Sequence, residues 1–330
     1  MVTTRFTRGR ALIALLALPL TLAACTDDDG GNDGGNEEGG GGSGSDFTFA
    51  VVTHASAGDA FWDVVQNGAE AAAEDLGIEV TYQGSGEPDE QAQLIEAAVS
   101  DEVDGIVVSL ANPDAMREPL ASAEEAGIPV ITINSGENES ASLGALTHVG
   151  QTETVAGQGA GEQLAEAGVT NLICVIHEPG NIGLEQRCEG ATEGLGGTVE
   201  NLQVDINDVA GAQTTIQSSL QADPSINGVL ALNPAIGVAA VDAVAGAGSD
   251  AQIATFDLSG DVVSAIEDGS ILFAVDQQQY LQGYVPIVLL KLYQENNNIM
   301  GGGRPVLTGP GFVTQENAAT VADLAEAGTR

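Results

Sequence analysis

The stretch Ala123–Ile133 (AEEAGIPVITI) holds the pattern that decides the fold. A helix end closed by Gly127 is followed at once by a short, valine- and isoleucine-rich strand. A near repeat occurs at Ala72–Ile78 (AAEDLGI), where a glycine again leads into a strand. Strands of this kind that alternate with helices favour parallel sheets covered by helices on both faces.

The same alternation continues along the chain from Phe47. The predicted strands are Thr48–Thr53, Glu79–Gln83, Gly105–Ser109, Pro129–Ile133, Leu172–Ile176, Thr198–Val204, Gly228–Leu232, Gln252–Phe256 and Leu272–Val275. Helix-length segments between them include Phe61–Leu76, Pro88–Ser100, Ala115–Ala126, Thr154–Ala167 and Ala212–Gln221. These units are too many for one small sheet. The sequence therefore predicts an α/β protein with two doubly wound parallel-sheet lobes joined by a three-segment hinge.

The two lobes are expected to share the chain discontinuously. Residues 47–150 plus 279–310 are predicted to form the N-terminal lobe, and residues 151–278 plus 311–330 the C-terminal lobe. Chain reversals near Val149–Thr152, Gln277–Tyr280 and Gly309–Val313 are the expected hinge segments, and Pro310-Gly311 suits the last of them.

The first 24 residues have the features of a secretory signal. Arg5, Arg8 and Arg10 precede the apolar run Ala11–Leu22, which is too short to span a membrane. Leu22–Cys25 (LAAC) resembles the bacterial lipobox, in which the cysteine is acylated. We therefore expect a lipoprotein signal peptide at 1–24, a lipid anchor at Cys25 and an acidic, glycine-rich tether at 25–46. The alternative is an ordinary secretory signal with an incidental cysteine.

The chain is strongly acidic, with a net charge of −40 over 330 residues. Residues 25–330 keep five cationic side chains against 48 carboxylates, a formal charge of −43. Such a surface repels nucleic acid and anionic lipid, whose phosphates need lysine and arginine partners. We interpret the acidity as adaptation to a saline or alkaline exterior. Metal binding is the alternative, but the spaced acidic loop typical of calcium sites does not occur, so no metal or cofactor is expected.

Two cysteines remain if Cys25 carries the lipid. Cys174 and Cys188 then form an even pair outside the cytoplasm, which favours a disulfide over two free thiols. Two thiols and three scattered histidines do not make a zinc site.

Ligands of open parallel sheets bind beyond the carboxyl ends of the strands. The loops at those ends are His54–Phe61, Asn134–Gly136, His177–Arg187, Asn233-Pro234, Asp257-Leu258 and Asp276–Gln279. They carry amides, carboxylates, one arginine and two adjacent aromatic residues. Planar side chains of this kind can pair with hydroxyls that both donate and accept, and an aromatic ring can cover the apolar face of a sugar. The loops therefore favour a polyhydroxylated ligand.

At these loops, residues 47–315 resemble the ribose/galactose-type (type 1) periplasmic binding proteins, which are substrate-binding subunits of bacterial ABC importers. The resemblance rests on Gly58–Trp62 (GDAFW), Gly127–Asn134 (GIPVITIN), Gln186–Gly190 (QRCEG) and the polar residues after three later strands. It implies these ligand-binding residues: Asp59, Phe61, Trp62, Asn134, Arg187, Asn233, Asp257 and Gln277. His54, Ser135 and Gln151 are second-rank candidates. The ribose binders have Asp-Arg where this chain has Asn134-Ser135, so the resemblance implies a sugar class and not ribose itself.

Each of these residues also has a structural interpretation. Phe61 and Trp62 could pack in the core, and Asp59 could cap the helix that they begin. Asp257 could cap a helix starting near Ser259. Asn134 and Asn233 could be turn residues, and Arg187 could form a surface ion pair, although the cleft is the favoured place for it.

The resemblance implies an extracytoplasmic, lipid-anchored protein at the outer face of the cell membrane. Such a protein is a monomer that captures a sugar, polyol or nucleoside-like ligand between its lobes and delivers it to an ABC permease with a cytoplasmic ATPase. A tethered sensor that presents its ligand to a receptor kinase or chemoreceptor is the alternative. A glycoside hydrolase that uses Asp59 and Asp257 is a further alternative, but no enzyme is expected.

Overall fold

The computed structural model of the chain describes residues 47–56 and 58–330. The predicted signal peptide, the predicted lipid anchor Cys25 and the acidic tether lie outside the described residues.

Strands and helices alternate through most of the described chain. The strands are β1 (Thr48–Thr53), β2 (Glu79–Gly84), β3 (Gly105–Ser109), β4 (Val130–Ile133), β5 (Thr147–Gly150), β6 (Asn171–Ile176), β7 (Thr198–Gln203), β8 (Gly228–Ala231), β9 (Gln252–Phe256), β10 (Phe273–Asp276), β11 (Val306–Leu307) and β12 (Gly311–Thr314). The helices are α1 (Ala60–Leu76), α2 (Pro88–Ser100), α3 (Pro113–Glu125), α4 (Glu137–Ser140), α5 (Glu153–Glu166), α6 (Ile182–Leu195), α7 (Val209–Ala222), α8 (Pro234–Ala247), α9 (Gly260–Asp268), α10 (Gln279–Asn296) and α11 (Ala322–Glu326).

The strands form two sheets of six. The first has the order β11-β5-β4-β3-β1-β2, with every neighbouring pair parallel. The second has the order β12-β10-β9-β8-β6-β7 and is parallel except for β12, which runs antiparallel to β10. We call each sheet with the helices packed on it the first and the second lobe. The prediction of an α/β protein with two doubly wound sheets is confirmed.

Apolar residues cover both faces of each sheet. All five residues of the central strand β3 are buried, as expected for a parallel strand between two helical layers. Each lobe has two apolar clusters; in the second lobe Ile253 and Phe256, both on β9, belong to different ones. Among the described residues, no helix is long and apolar enough to cross a membrane.

The chain passes between the lobes after β5, after β10 and between β11 and β12. Each passage places a helix or strand of one lobe directly after a strand of the other. The carboxyl ends of both sets of strands consequently meet at the passages, where the predicted loops lie.

Two helix pairs beside these passages pack backbone against backbone through glycine. In the first lobe α1 packs on α10, and a Cβ added at Gly68 would lie 2.1 Å from the Tyr280 carbonyl oxygen. In the second lobe α5 packs on α6, and a Cβ at Gly157 would lie 2.0 Å from the Arg187 carbonyl oxygen. No side chain fits at either glycine. Because glycine has no Cβ, the two helices of each pair can approach this closely.

The structure adds strands and corrects one predicted loop. β5, β11 and β12 were not predicted, because β11 has only two residues, and β5 and β12 have four residues each that mix apolar residues with Gly and Thr. The predicted loop His177–Arg187 is too long, since α6 begins at Ile182. The Asn181 side chain caps this helix by accepting a hydrogen bond from Gly183 N at 3.0 Å. Arg187 therefore lies within a helix and not at the end of a loop.

Candidate functional site

A narrow cavity lies between the lobes at the carboxyl ends of the two sheets. Its lining combines three carboxylates, one guanidinium, two imidazoles and several amides with a few apolar side chains. The lining residues are His54, Asp59, Phe61, Trp62, Asn134, His177, Glu178, Asn181, Leu184, Arg187, Leu232, Asn233, Asp257 and Gln277. All first-rank residues of the sequence analysis are thus brought together, with the second-rank His54.

The other second-rank residues lie outside the cavity lining. Ser135 Oγ donates hydrogen bonds to Asn181 Oδ1 at 3.0 Å and to Asn134 Oδ1 at 3.1 Å, so it supports two residues that line the cavity. Gln151 Nε2 donates to Glu153 Oε2 at 3.0 Å.

The start of α1 forms an aromatic wall. Asp59 caps the helix by accepting from Phe61 N at 3.1 Å, which fixes the orientation of the first turn. The Trp62 ring is 4% exposed and packs edge-on against Phe61 at 4.9 Å and His54 at 4.7 Å between centroids. Asp59 and Trp62 thus support the fold and also line the cavity.

Among the described residues that line the cavity, Arg187 is the only lysine or arginine, and it is 3% exposed. Its Nε and Nη2 donate to Glu153 Oε2 at 2.6 Å and Oε1 at 2.9 Å, and its Nη1 donates to the Leu232 carbonyl oxygen at 3.4 Å. The guanidinium carbon lies 4.5 Å from the centre of the Phe256 ring. Burial has the largest single effect and lowers the pKa of Arg187, but the charge and hydrogen bonds of Glu153, together with the charges of Asp257 and Glu178, outweigh it and raise the pKa. The alternative of a surface ion pair is wrong, because the pair is buried.

The residue after Arg187 ties α6 to the sheet. Cys188 and Cys174, the latter in β6, form a disulfide, and both are at most 1% exposed. The disulfide, the Gly157 contact and the Glu153 ion pair all act within one turn of Arg187, which keeps its guanidinium in place.

Two lining residues have left-handed backbone conformations at strand ends. Asn134 after β4 has a φ of 62°, and Asp257 after β9 has a φ of 68°. Asparagine and aspartate tolerate this region better than most residues, and such conformations cluster at functional sites. Asp257 does not cap α9, since Ser259 does so by accepting from Val262 N.

A chain of amide hydrogen bonds joins these two strand ends across the lobes. Asn134 Nδ2 donates to Gln277 Oε1 at 3.1 Å, and Gln277 Nε2 donates to both Asp257 oxygens at 2.9 and 3.0 Å. Gln277 lies on one of the passages between the lobes and is fully buried. The passage itself therefore forms part of the cavity wall.

Further hydrogen bonds connect the lobes on opposite sides of the cavity. Asn233 Nδ2 lies 3.2 and 3.3 Å from the two Asp59 oxygens, and Asn181 Nδ2 lies 3.3 Å from His54 Nε2. Asn233 also caps α8 through Ala235 N, so its backbone is held while its amide faces the other lobe. These contacts describe lobes that are closed over the cavity.

Burial controls the protonation of the lining. Desolvation raises the pKa of Asp257 to about 8, even though Arg187 lowers it from 4.0 Å away. Desolvation also raises the pKa of Glu178 to about 7 and that of Asp59 above its usual value. It lowers the pKa of His54 and of His177 to about 3. Both imidazoles are therefore neutral at pH 7.

Sequence reasoning did not name all of the lining residues. The missed side chains are His177, Glu178, Asn181, Leu184 and Leu232. The first four lie within the loop His177–Arg187 that the strand-end rule predicted, but nothing in the sequence singled them out from the other residues of that loop. Among the described residues, no group of three His, Cys, Asp or Glu side chains is arranged to hold a metal ion.

Two α/β lobes that close over a polar cavity at their strand ends define a class of two-lobed solute-binding proteins. Residues 49–298 match the family described as the periplasmic binding protein domain. The chain belongs to this family, and the assignment to the type 1 periplasmic binding proteins made from the sequence is confirmed.

Individual relatives fit this assignment. The xylose/arabinose-binding protein of Sulfolobus acidocaldarius is 27% identical over 68% of this chain, and the match spans 60% of that protein's length. The ribose import binding protein of Bacillus subtilis is 26% identical over 68% of this chain and 74% of its own length.

Solved structures give a similar result. A carbohydrate transporter of Acidothermus cellulolyticus, solved in complex with myo-inositol, is 41% identical with a TM-score of 0.85 and covers 86% of this chain and 100% of its own. A solute-binding protein of Agrobacterium vitis, solved with α-D-tagatopyranose, is 26% identical with a TM-score of 0.74 and covers 86% of this chain and 98% of its own.

Proposed function

We propose that this protein captures a neutral sugar or cyclitol between its lobes and delivers it to an ABC permease. The observation that carries the proposal is the cavity itself, in which amides, carboxylates and a guanidinium surround a small volume beside an aromatic wall. A ring with a hydroxyl on each carbon needs donors and acceptors on every side, and this lining supplies both.

The relatives support a polyhydroxylated ring as the ligand. The 41% identical structure holds myo-inositol, two more distant relatives are named for pentoses, and another was solved with α-D-tagatopyranose. Myo-inositol is therefore the first compound to test, with pentoses and hexoses next.

The carboxylates support binding over catalysis. Both oxygens of Asp257 accept from Gln277, and both oxygens of Asp59 face the Asn233 amide. A hydrolase needs one carboxylate as acid and another as nucleophile or base, each free to reach the scissile bond. We therefore propose that the protein is not an enzyme.

The N-terminal predictions complete the proposal. We propose that Cys25 carries a lipid at the outer face of the cell membrane and that residues 25–46 act as a tether. The domain limits given above, with a lobe of 47–150 plus 279–310 and a lobe of 151–278 plus 311–330, are part of the same proposal. A tether would keep the binding protein near its membrane partner.

A thermal-shift screen of the purified protein tests the ligand class. A ligand that binds only the folded state at a hundredfold excess over its Kd should raise the Tm by about 5 °C. We expect this rise with myo-inositol or with at least one neutral pentose, hexose or polyol. No shift with any member of such a panel would contradict the proposed function.

A further inference from the structure

We propose that the cavity selects its ligand by charge: it admits neutral polyols and their amine-bearing derivatives and excludes acidic sugars and sugar phosphates. This inference rests on the proposed function and narrows its ligand class. It follows from how the charges of the lining are paired.

The positive charge of Arg187 is already neutralised by a carboxylate that lies outside the cavity lining. Arg187 forms a two-pronged ion pair with Glu153, whose side chain is 1% exposed and is not part of the lining. A carboxylate or phosphate on a ligand would have to compete with Glu153 for the same guanidinium. Arg187 can still donate to a hydroxyl, since three of its five N–H groups at most are used among the described residues.

The carboxyl groups of the lining have no such partner, and although Glu178 lies 3.7 Å from His54 Nε2, that imidazole is neutral. Asp59 comes from the first lobe, and Glu178 and Asp257 come from the second. Their hydrogen bonds come mainly from neutral amides, and the nearest guanidinium contact to any of them is 4.0 Å long, from Arg187 to Asp257. Closing the lobes therefore brings Asp59 of the first lobe towards Glu178 of the second, and repulsion from Asp59 adds to the burial that raises the pKa of Glu178.

The histidines do not offset this charge. His54 and His177 are neutral at pH 7, because burial lowers the pKa of each. His177 is 6% exposed, and its Nδ1 has no hydrogen-bond partner among the described residues. A buried imidazole nitrogen in the wall of a cavity is satisfied by a hydroxyl or an amine of a ligand, so it points to a ligand of this chemistry.

The lining thus has one compensated cation and three carboxyl groups. At pH 7 Asp257, whose pKa is about 8, is mostly protonated, and Glu178, whose pKa is about 7, is partly ionised, so the negative charge of the lining comes mainly from Asp59 and Glu178. A ligand carboxylate would be repelled from both lobes, whereas an ammonium group would separate Asp59 from Glu178 and favour closure. A neutral hydroxyl would be neither repelled by the carboxyl groups nor attracted by them as a charge.

Calorimetry with matched ligands tests the charge rule. Suitable sets are D-glucose, D-glucosamine and D-glucuronate; D-galactose, D-galactosamine and D-galacturonate; and myo-inositol, an aminodeoxyinositol and myo-inositol 1-phosphate. Each hexose set changes one substituent with little change of size. In a set whose neutral member binds, we expect the acid to bind at least about a hundredfold more weakly and the amine at least as tightly as the neutral compound.

The substitution Glu153→Gln separates charge from steric fit. It removes the charge that compensates Arg187 without replacing any lining residue, so the ratio of acid to neutral affinity should rise at least about tenfold. Glu166→Gln, at the exposed end of the same helix, is the matched control and should leave the ratio unchanged. Glu178→Gln should also raise the ratio, which provides a second variant if Glu153→Gln destabilises the fold.

The outcomes are distinct. If an acid binds as tightly as its neutral counterpart, the charge rule is overturned and the proposed function stays intact. The same conclusion follows if neither Glu153→Gln nor Glu178→Gln changes the ratio of acid to neutral affinity. If no neutral compound binds, the proposed function is overturned, and so is the charge rule that rests on it.

Discussion

At the scale of single residues, Arg187 connects the ligand site with the stability of the fold. Its guanidinium lies in the cavity wall, stacks on Phe256 and holds the buried carboxylate of Glu153. A buried ion pair is costly to break on one side, because the remaining charge is left without a partner. Arg187 therefore has two roles, and a single substitution affects both.

The substitution Arg187→Ala should weaken binding of myo-inositol, or of whichever neutral sugar binds, by about a hundredfold, since charged hydrogen bonds to hydroxyls are lost. It should also lower the free energy of unfolding by about 3–5 kcal/mol, because Glu153 stays buried and unpaired. Calorimetry and chemical denaturation measure the two effects.

Two controls distinguish these effects. Arg117→Ala removes a half-exposed arginine paired with Asp114 and should change neither quantity by more than about 0.5 kcal/mol. The double substitution Arg187→Met with Glu153→Met removes both charges and should recover most of the stability but none of the affinity. Full affinity in either Arg187 variant would remove this residue from the site.

At the scale of elements, the pairing of α5 with α6 positions the second-lobe half of the site. The two helices approach so closely that Gly157 on α5 faces the backbone of Arg187 on α6, and Gly190 on α6 faces the Thr154 carbonyl oxygen at 2.1 Å from an added Cβ. A methyl group at either glycine would push α6, and Arg187 with it, away from α5.

The substitution Gly157→Ala should therefore destabilise the protein by about 2–3 kcal/mol and weaken ligand binding, because overpacking displaces α6. Gly260→Ala in α9 is the matched control. An added Cβ there meets only the flexible Glu326 side chain at 3.3 Å, so its effect should stay within about 1 kcal/mol of zero. Equal melting temperatures for the two variants would contradict this account of the helix pair.

The elements also show what the sequence could and could not predict. Apolar strands that end in polar residues could be predicted from the sequence, because strand periodicity and the strand-end rule depend only on local sequence. The Glu153–Arg187 pair was not, since it joins two helices 34 residues apart with no periodic signal. The contact of Asp59 with Asn233, 174 residues away, depends on how far the lobes close, which no local pattern encodes.

At the scale of the whole molecule, the structure shows the lobes closed. Asn134 donates a hydrogen bond to Gln277 on the passage between the lobes, Asp59 accepts one from Asn233 of the second lobe, and His54 shares one with Asn181 of the second lobe. A ligand that bonds both lobes stabilises this arrangement by its differential affinity for it. The same closure assembles the three carboxylates of the lining, so binding and charge selection are two consequences of one movement.

The most direct test of the central claim uses the only tryptophan of the chain. Trp62 is 4% exposed and lines the cavity, so its fluorescence reports on this site alone. Titration with myo-inositol and neutral sugars should produce a saturable change in Trp62 emission, with a midpoint equal to the Kd from calorimetry. Calorimetric binding with unchanged emission would place the ligand outside the cavity and contradict the account.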